Sequence, residues 1–185
     1  MFILIVLRMK RILTVLLGLF LGIGMFAQSE ASSQKKLWFS SSVETRFLDL
    51  YGESPCHSID FSVAPGCTFA NGLSLRLPLE LNVFLLPGEL PVYNTYRDTP
   101  TLGLNAGYNL LDTDKWRMEL NLTGGLTLEE SDMDHYYADL GLRFGGKAYG
   151  KAVPYLSIGT RYCAFQNRGM QPRVGLYFSF GVWLL

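Results

Sequence analysis

Two histidines, three cysteines and no surplus of charge of either sign are what this chain has for chemistry, and each shortage excludes something. Sixteen basic residues against sixteen acidic ones leave a formal net charge of zero, without the basic stripe that a nucleic-acid partner requires. Three cysteines in an exported chain cannot all pair with one another. Cys56 and Cys163 are able to form one bridge, and three separate idle thiols are the plainer reading. Beyond residue 27 no stretch carries the 3.6-residue apolar period of an amphipathic helix, so a helical bundle is excluded. No run of about 20 apolar residues follows either, so no helix of the mature chain is expected to span a bilayer. Lysine is missing from every segment that reads as a strand.

What is present begins with an export signal. Arg8, Lys10 and Arg11 precede the apolar run Ile12 to Phe26 and the small residue Ala27, the order of a secretory signal peptide cleaved after Ala27. Met9 as the true start would give the cleaner n-region. Cleavage removes three basic residues and no acidic ones, leaving 13 against 16 in the mature chain. The expected organisation is therefore a signal peptide over 1–27, a short segment over 28–36, and one domain over 37–185.

That domain alternates. Leu73, Leu75, Leu77, Leu79, Leu81, Val83 and Leu85 share one face of a strand, and Ser74, Arg76, Glu80 and Asn82 share the other. The same period of two recurs at Leu102 to Leu110, Met118 to Leu122, Tyr136 to Phe144 and Val174 to Leu184. It predicts eight strands near 37–47, 57–69, 73–85, 101–110, 116–127, 136–145, 154–164 and 173–184. Short connections at Ala70-Asn71-Gly72, 111–115 and 146–153 alternate with connections at 48–56, 86–100, 128–135 and 165–172 that are longer on the whole. Short turns at one end and longer loops at the other suit a membrane barrel with both termini in the periplasm.

The two faces differ in kind. No charged residue occupies the apolar phase of the eight segments. The opposite phase holds Glu44, Arg46, Asp60, Arg76, Glu80, Arg117, Glu119, Asp139, Arg143 and Arg161, five arginines against five carboxylates. A solvated sheet face would carry lysines and no such sign balance. Arginine meets a carboxylate with two hydrogen bonds from its planar fork, which suits buried pairs. The expectation is a charge-balanced network filling a narrow barrel, with the leucine-rich phase outside. Aromatics of the apolar phase fall at both strand ends, with Phe69, Tyr108, Trp116 and Phe144 at the short turns. Phe47, Tyr136 and Tyr162 fall at the long loops, and two such girdles fit the two bilayer interfaces.

The stretches FANGLSLRLPLELNVFL, PTLGLNAGYNLL and VGLYFSFGVWLL, with the strand count, resemble the small outer-membrane β-barrel proteins of the OmpA-domain and OmpX-like class. The resemblance covers nearly all of the mature chain and is one of pattern. It implies an all-β, eight-stranded, antiparallel up-and-down transmembrane β-barrel in the outer membrane of a Gram-negative-type bacterium. Proteins of this class usually end on an aromatic residue, and Trp183-Leu184-Leu185 departs from that pattern.

An eight-stranded barrel has an interior just wide enough for side chains, so a pore is not expected and function moves to the loops. The first reading is a non-enzymatic structural or surface-binding barrel, monomeric, without cofactor, metal or nucleic-acid partner. Its partners would be outer-membrane lipid or lipopolysaccharide, and the barrel assembly machinery during insertion. Tyr93, Tyr96 and Arg97, in the proline-bounded stretch 86–100, are the candidate contact residues. The acidic stretch 129–134 offers oxygen ligands to divalent cations, but it lacks the glycine and spacing of a calcium loop. The second reading is a lipid-modifying enzyme using His57 or His135 at the rim. Alternation, however, points His57 and its neighbour Ser58 to opposite faces. The third is a soluble periplasmic lipid carrier with the leucine-rich phase turned inward.

Overall fold

The computed structural model describes residues 37–52, 56–86, 95–128, 133–146, 152–166 and 170–184. The expected signal peptide, the segment 28–36, Tyr93 and acidic residues 129–132 lie outside the described residues. The rest is all-β, with nine antiparallel strands in chain order. They are β1 Leu37–Tyr51, β2 Cys56–Phe69, β3 Leu73–Arg76, β4 Leu79–Leu86 and β5 Thr95–Asp112, followed by β6 Trp116–Thr127, β7 His135–Gly146, β8 Ala152–Phe165 and β9 Arg173–Leu184. Successive strands pair, except that β3 and β4 do not pair with each other and instead both pair with β2 and β5. β1 pairs with both β2 and β9, so the sheet closes on itself. Closure leaves no sheet edge with unpaired backbone groups.

Eight strands were expected, and Pro78 is the reason for nine. Leu79 faces Val63 and Arg76 faces Gly66 in one unbroken register against β2, and the register against β5 is equally continuous. Pro78 has no N–H to give to the ladder. The bonds Leu77 N–H to Pro65 C=O (2.8 Å) and Gly103 N–H to Pro78 C=O (2.9 Å) carry the pairing past it. β3 and β4 therefore form one interrupted stave, and the barrel has eight. The turn joining β2 to β3 uses Gly72 at φ 85°, a left-handed conformation glycine adopts without steric cost. Asn71 Oδ1 accepts from Leu73 N–H at 3.1 Å in the same turn.

The sheet is inverted with respect to a soluble barrel. Phe61, Val63, Leu81, Leu104, Leu120, Leu122, Leu140, Leu156, Ile158, Leu176 and Phe178 are exposed on the outer wall. Ser42, Glu44, Arg46, Asp60, Ser74, Arg76, Asn105, Glu119, Asn121 and Ser179 are buried within. The leucine-rich phase lines no lumen, so the carrier reading loses its cavity.

The strands also run further than the alternation suggested. The connections expected at 48–56 and 86–100 shrink, because β1 continues to Tyr51 and β5 begins at Thr95, opposite Leu86. The physical reason is a change of polarity at the long-loop end. Leu48, Leu50, Cys56 and Phe84 turn inward and are buried, whereas Asp49, His57 and Asp98 are exposed. The wall above the apolar belt thus returns to soluble-protein polarity, and a pattern search for outward leucines stops where it does.

Candidate functional site in the barrel interior

Period two puts every second side chain of eight staves into one narrow space, so residues far apart in sequence meet there. All ten polar-phase charges, Glu44, Arg46, Asp60, Arg76, Glu80, Arg117, Glu119, Asp139, Arg143 and Arg161, lie inside and are buried. They are layered along the barrel.

Nearer the short turns, Glu119 is the hub. Arg76 grips it with two bonds of 2.7 and 2.8 Å, and Arg117 and Arg143 approach at 3.2 and 3.4 Å. Arg143 also reaches Glu44 on β1 at 2.7 Å, and Glu44 accepts from the hydroxyls of Tyr155 (2.8 Å) and Ser179 (2.6 Å). Nearer the long loops, Arg161 is the hub. It donates to Asp139 at 2.6 and 2.8 Å, to Asp60 at 3.0 Å and to Asn82 Oδ1 at 3.1 Å. It also donates at 2.8 Å to Glu80 on the stave diametrically opposite its own. Arg46 joins the layers, contacting Asp139 at 3.0 Å and Glu44 at 3.4 Å. Side chains from facing walls therefore meet across the lumen. Such a network fills space and fixes the ring, and hydrogen bonds to the remaining lone pairs offset the desolvation of the ions.

Alternation alone missed what surrounds these ions. Arg161 lies 4.2 Å from the ring centroid of Tyr137, Arg46 4.5 Å from Tyr177, Arg117 5.0 Å from Trp183 and Arg143 5.2 Å from Tyr155. Four of the five interior guanidiniums thus have an aromatic face as well as a carboxylate, and the fifth, Arg76, bonds Glu119 and Asn105. The rings fit because facing positions are glycine. A Cβ on Gly125 would stand 2.5 Å from the Tyr137 ring, and one on Gly145 would stand 2.6 Å from that of Trp183. The readable signal was an aromatic in the polar phase beside a glycine in the polar phase of a nearby strand.

Apolar clusters close both ends of the charged layer. Val153, Tyr155 and Trp183 pack at the short-turn end. Leu48, Leu50, Cys56, Phe84, Met133, Tyr137, Cys163 and Tyr177 pack at the mouth. Cys56, Cys67 and Cys163 are free thiols, the first and third buried in that mouth cluster.

The histidines do not meet. His135 is buried in the mouth, its Nδ1 2.8 Å from the Met133 carbonyl and its ring edge-on to Phe84. His57 faces outward, with Nδ1 2.6 Å from Asp49 Oδ1. Ser58 turns inward and donates to Asp60 at 2.8 Å, so His57 and Ser58 form no catalytic pair. Of the loop candidates, Tyr96 and Arg97 lie in β5, paired with Leu85 and Phe84, and Arg97 is exposed. They belong to a strand where a loop was expected, since the ladder to β4 continues past the apolar belt. Among the described residues no group of three or more His, Cys, Asp or Glu side chains could hold a metal ion.

These features define a closed antiparallel β-barrel with an ion-paired interior and an apolar outer wall. No protein-family model matches the chain, and no curated protein matches it. Among solved structures it is similar to Neisserial surface protein A, at 18% identity over 81% of this chain and 99% of that one, with a TM-score of 0.43. It is also similar to the β domain of the Bordetella autotransporter BrkA, at 11% identity over 81% and 99%, TM-score 0.32. A Pseudomonas aeruginosa FadL homologue matches at 15% identity over 80% of this chain and 48% of that one, TM-score 0.33. At these scores the likenesses assign the chain neither a family nor a role.

Proposed function

We propose that this chain is an exported outer-membrane β-barrel with a side-chain-filled lumen, acting as a structural or surface-binding protein through its long-loop end. The observation that carries the reading is the inverted polarity of the barrel. A continuous belt of exposed leucine, phenylalanine and valine is unfavourable in water, and soluble proteins keep their exposed apolar patches small. In a bilayer the same belt is the solvated state, and ring closure satisfies the backbone groups that lipid cannot. The return to soluble polarity at Leu48, Asp49, Leu50 and His57 marks where the belt ends and the aqueous collar begins. Tyr136, Tyr162 and Phe47 at that border, and Trp116, Phe144 and Tyr108 at the other end, are exposed where interfacial rings belong.

On this reading export uses the signal peptide cleaved after Ala27, and insertion uses the barrel assembly machinery. The mature protein is a monomer in contact with outer-membrane lipid and lipopolysaccharide, and it neither conducts ions nor catalyses a reaction. Arg161 bonded to the opposite wall and Arg46 spanning two layers leave function to the collar and its loops. Two measurements test this. In unboiled detergent gels the barrel should migrate differently from the boiled sample, because closed barrels resist the detergent until heated. In planar bilayers it should give no stable conductance steps. Release by osmotic shock with no gel shift would overturn the membrane reading, and reproducible conductance would overturn the closed lumen.

A further inference from the structure

The outer wall is not uniformly convex. Near the short-turn end an apolar furrow of about 540 Å³ crosses from β1 to β6, over the backbone of Gly145 and Gly181. Phe180, Leu156 and Phe144 form one bank, and Val43, Val182 and Pro154 form the other. Gly146 has no side chain to fill the far end. Trp116 leans over it instead and stacks on Phe144, with ring centroids 5.1 Å apart and planes 16° apart.

We infer that this furrow holds one acyl chain of a phospholipid as a resident ligand, distinct from the exchanging lipid around the barrel. The inference rests on the membrane reading above, and the dimensions choose the occupant. From β1 through β9, β8 and β7 to β6 is four strand spacings, about 19 Å, the length of an extended long-chain acyl tail. A volume of about 540 Å³ over that length leaves a cross-section of roughly 28 Å², room for one polymethylene chain and not for two. Thr45 adds a hydroxyl at the edge of an otherwise aliphatic and aromatic outer surface. The two remaining polar lining residues, Glu44 and Tyr155, are buried and bonded to each other at 2.8 Å within the barrel. A second copy of the chain would present the convex wall of a closed barrel, too broad to enter a narrow trough, which suits a chain better than a sheet.

The test uses Trp116 as reporter. The full mature protein in non-lipid detergent micelles receives one phospholipid per protein, with brominated acyl chains that quench tryptophan on contact. Subtracting the signal of Trp116→Phe isolates the reporter. Trp116 emission should fall by more than half, whereas a tryptophan introduced by Leu104→Trp on another part of the belt should lose under a tenth. Val43→Phe with Thr45→Phe, which fills the furrow from outside without touching the lumen, should reduce the Trp116 quench at least threefold. Native mass spectrometry should find one phospholipid on the parent and none on the filled variant. Equal quenching at both reporters, or a dimer mass abolished by the same substitutions, would overturn the inference. The boiled and unboiled gel accompanies every sample. A normal gel shift without lipid retention removes the furrow's ligand alone, and loss of the shift in the parent removes the membrane reading with it.

Discussion

Replacing Arg161 by methionine tests the interior most sharply, because that guanidinium serves three carboxylates. Asp60, Glu80 and Asp139 are buried and share two cations, Arg161 and Arg46. After Arg161→Met only Arg46 remains, at 4.0, 3.6 and 3.0 Å from the three. Methionine keeps much of the volume, so the change is mainly electrostatic. Removing one partner of a buried ion pair costs about 3–5 kcal/mol, since the other charge stays desolvated. Three dependent carboxylates press towards the upper value, and the 3.0 Å contact between Arg46 and Asp139 moderates it. We therefore expect a loss of about 4 kcal/mol. With a urea slope of about 2 kcal/mol per molar, the unfolding midpoint should fall by about 2 M. The assay is urea unfolding in phospholipid vesicles, followed by tryptophan emission and by the fraction that keeps its unboiled migration. Adding Asp139→Asn removes one orphaned charge and should restore about 1–3 kcal/mol, a non-additivity expected of groups in direct contact. A midpoint shift below about 0.5 M in the single variant would refute the argument and show that water, not Arg161, neutralises the carboxylates.

Leu122→Arg, at an outward position midway along β6, should destabilise the barrel by about 2–4 kcal/mol in vesicles, and a harmless or stabilising effect would contradict the bilayer-facing assignment. Gly125→Val should cost about 1–3 kcal/mol, because the added side chain enters the slot filled by the Tyr137 ring. The same substitution should cost measurably less beside Tyr137→Ala, as read from unfolding midpoints. Cys56 and Cys163 should resist a maleimide in the folded barrel and react on unfolding, counted by mass, because both thiols are buried in the mouth. His57→Ala should change stability by less than about 1 kcal/mol, since its bond to Asp49 is exposed and screened.

How far the sequence reaches is clearest at three places. Along Leu73 to Leu85 the two faces were plain, because side chains of a strand alternate whatever the strand packs against. At Leu48 and Leu50 the reading stopped short, since the apolar phase changes sides there and local periodicity has no term for depth along a barrel. At Tyr137, Tyr155, Tyr177 and Trp183 the reading was silent about the interior, because an aromatic fits a narrow lumen only where a nearby strand supplies glycine.

The sequence by itself determined that the chain forms strands, and that ten balanced charges fall on one side of them and leucines on the other. Alternation settles that much, because it depends only on the backbone's own period. The balance of five arginines against five carboxylates, without lysine, also pointed the charged side inward. Which ions meet there only the tertiary structure decided. Arg161 finds Glu80 at a separation of 81 residues, and Arg46 finds Asp139 at 93. Those meetings follow from ring closure and register, which bring opposite walls within reach of one guanidinium and are written in no local stretch of the chain.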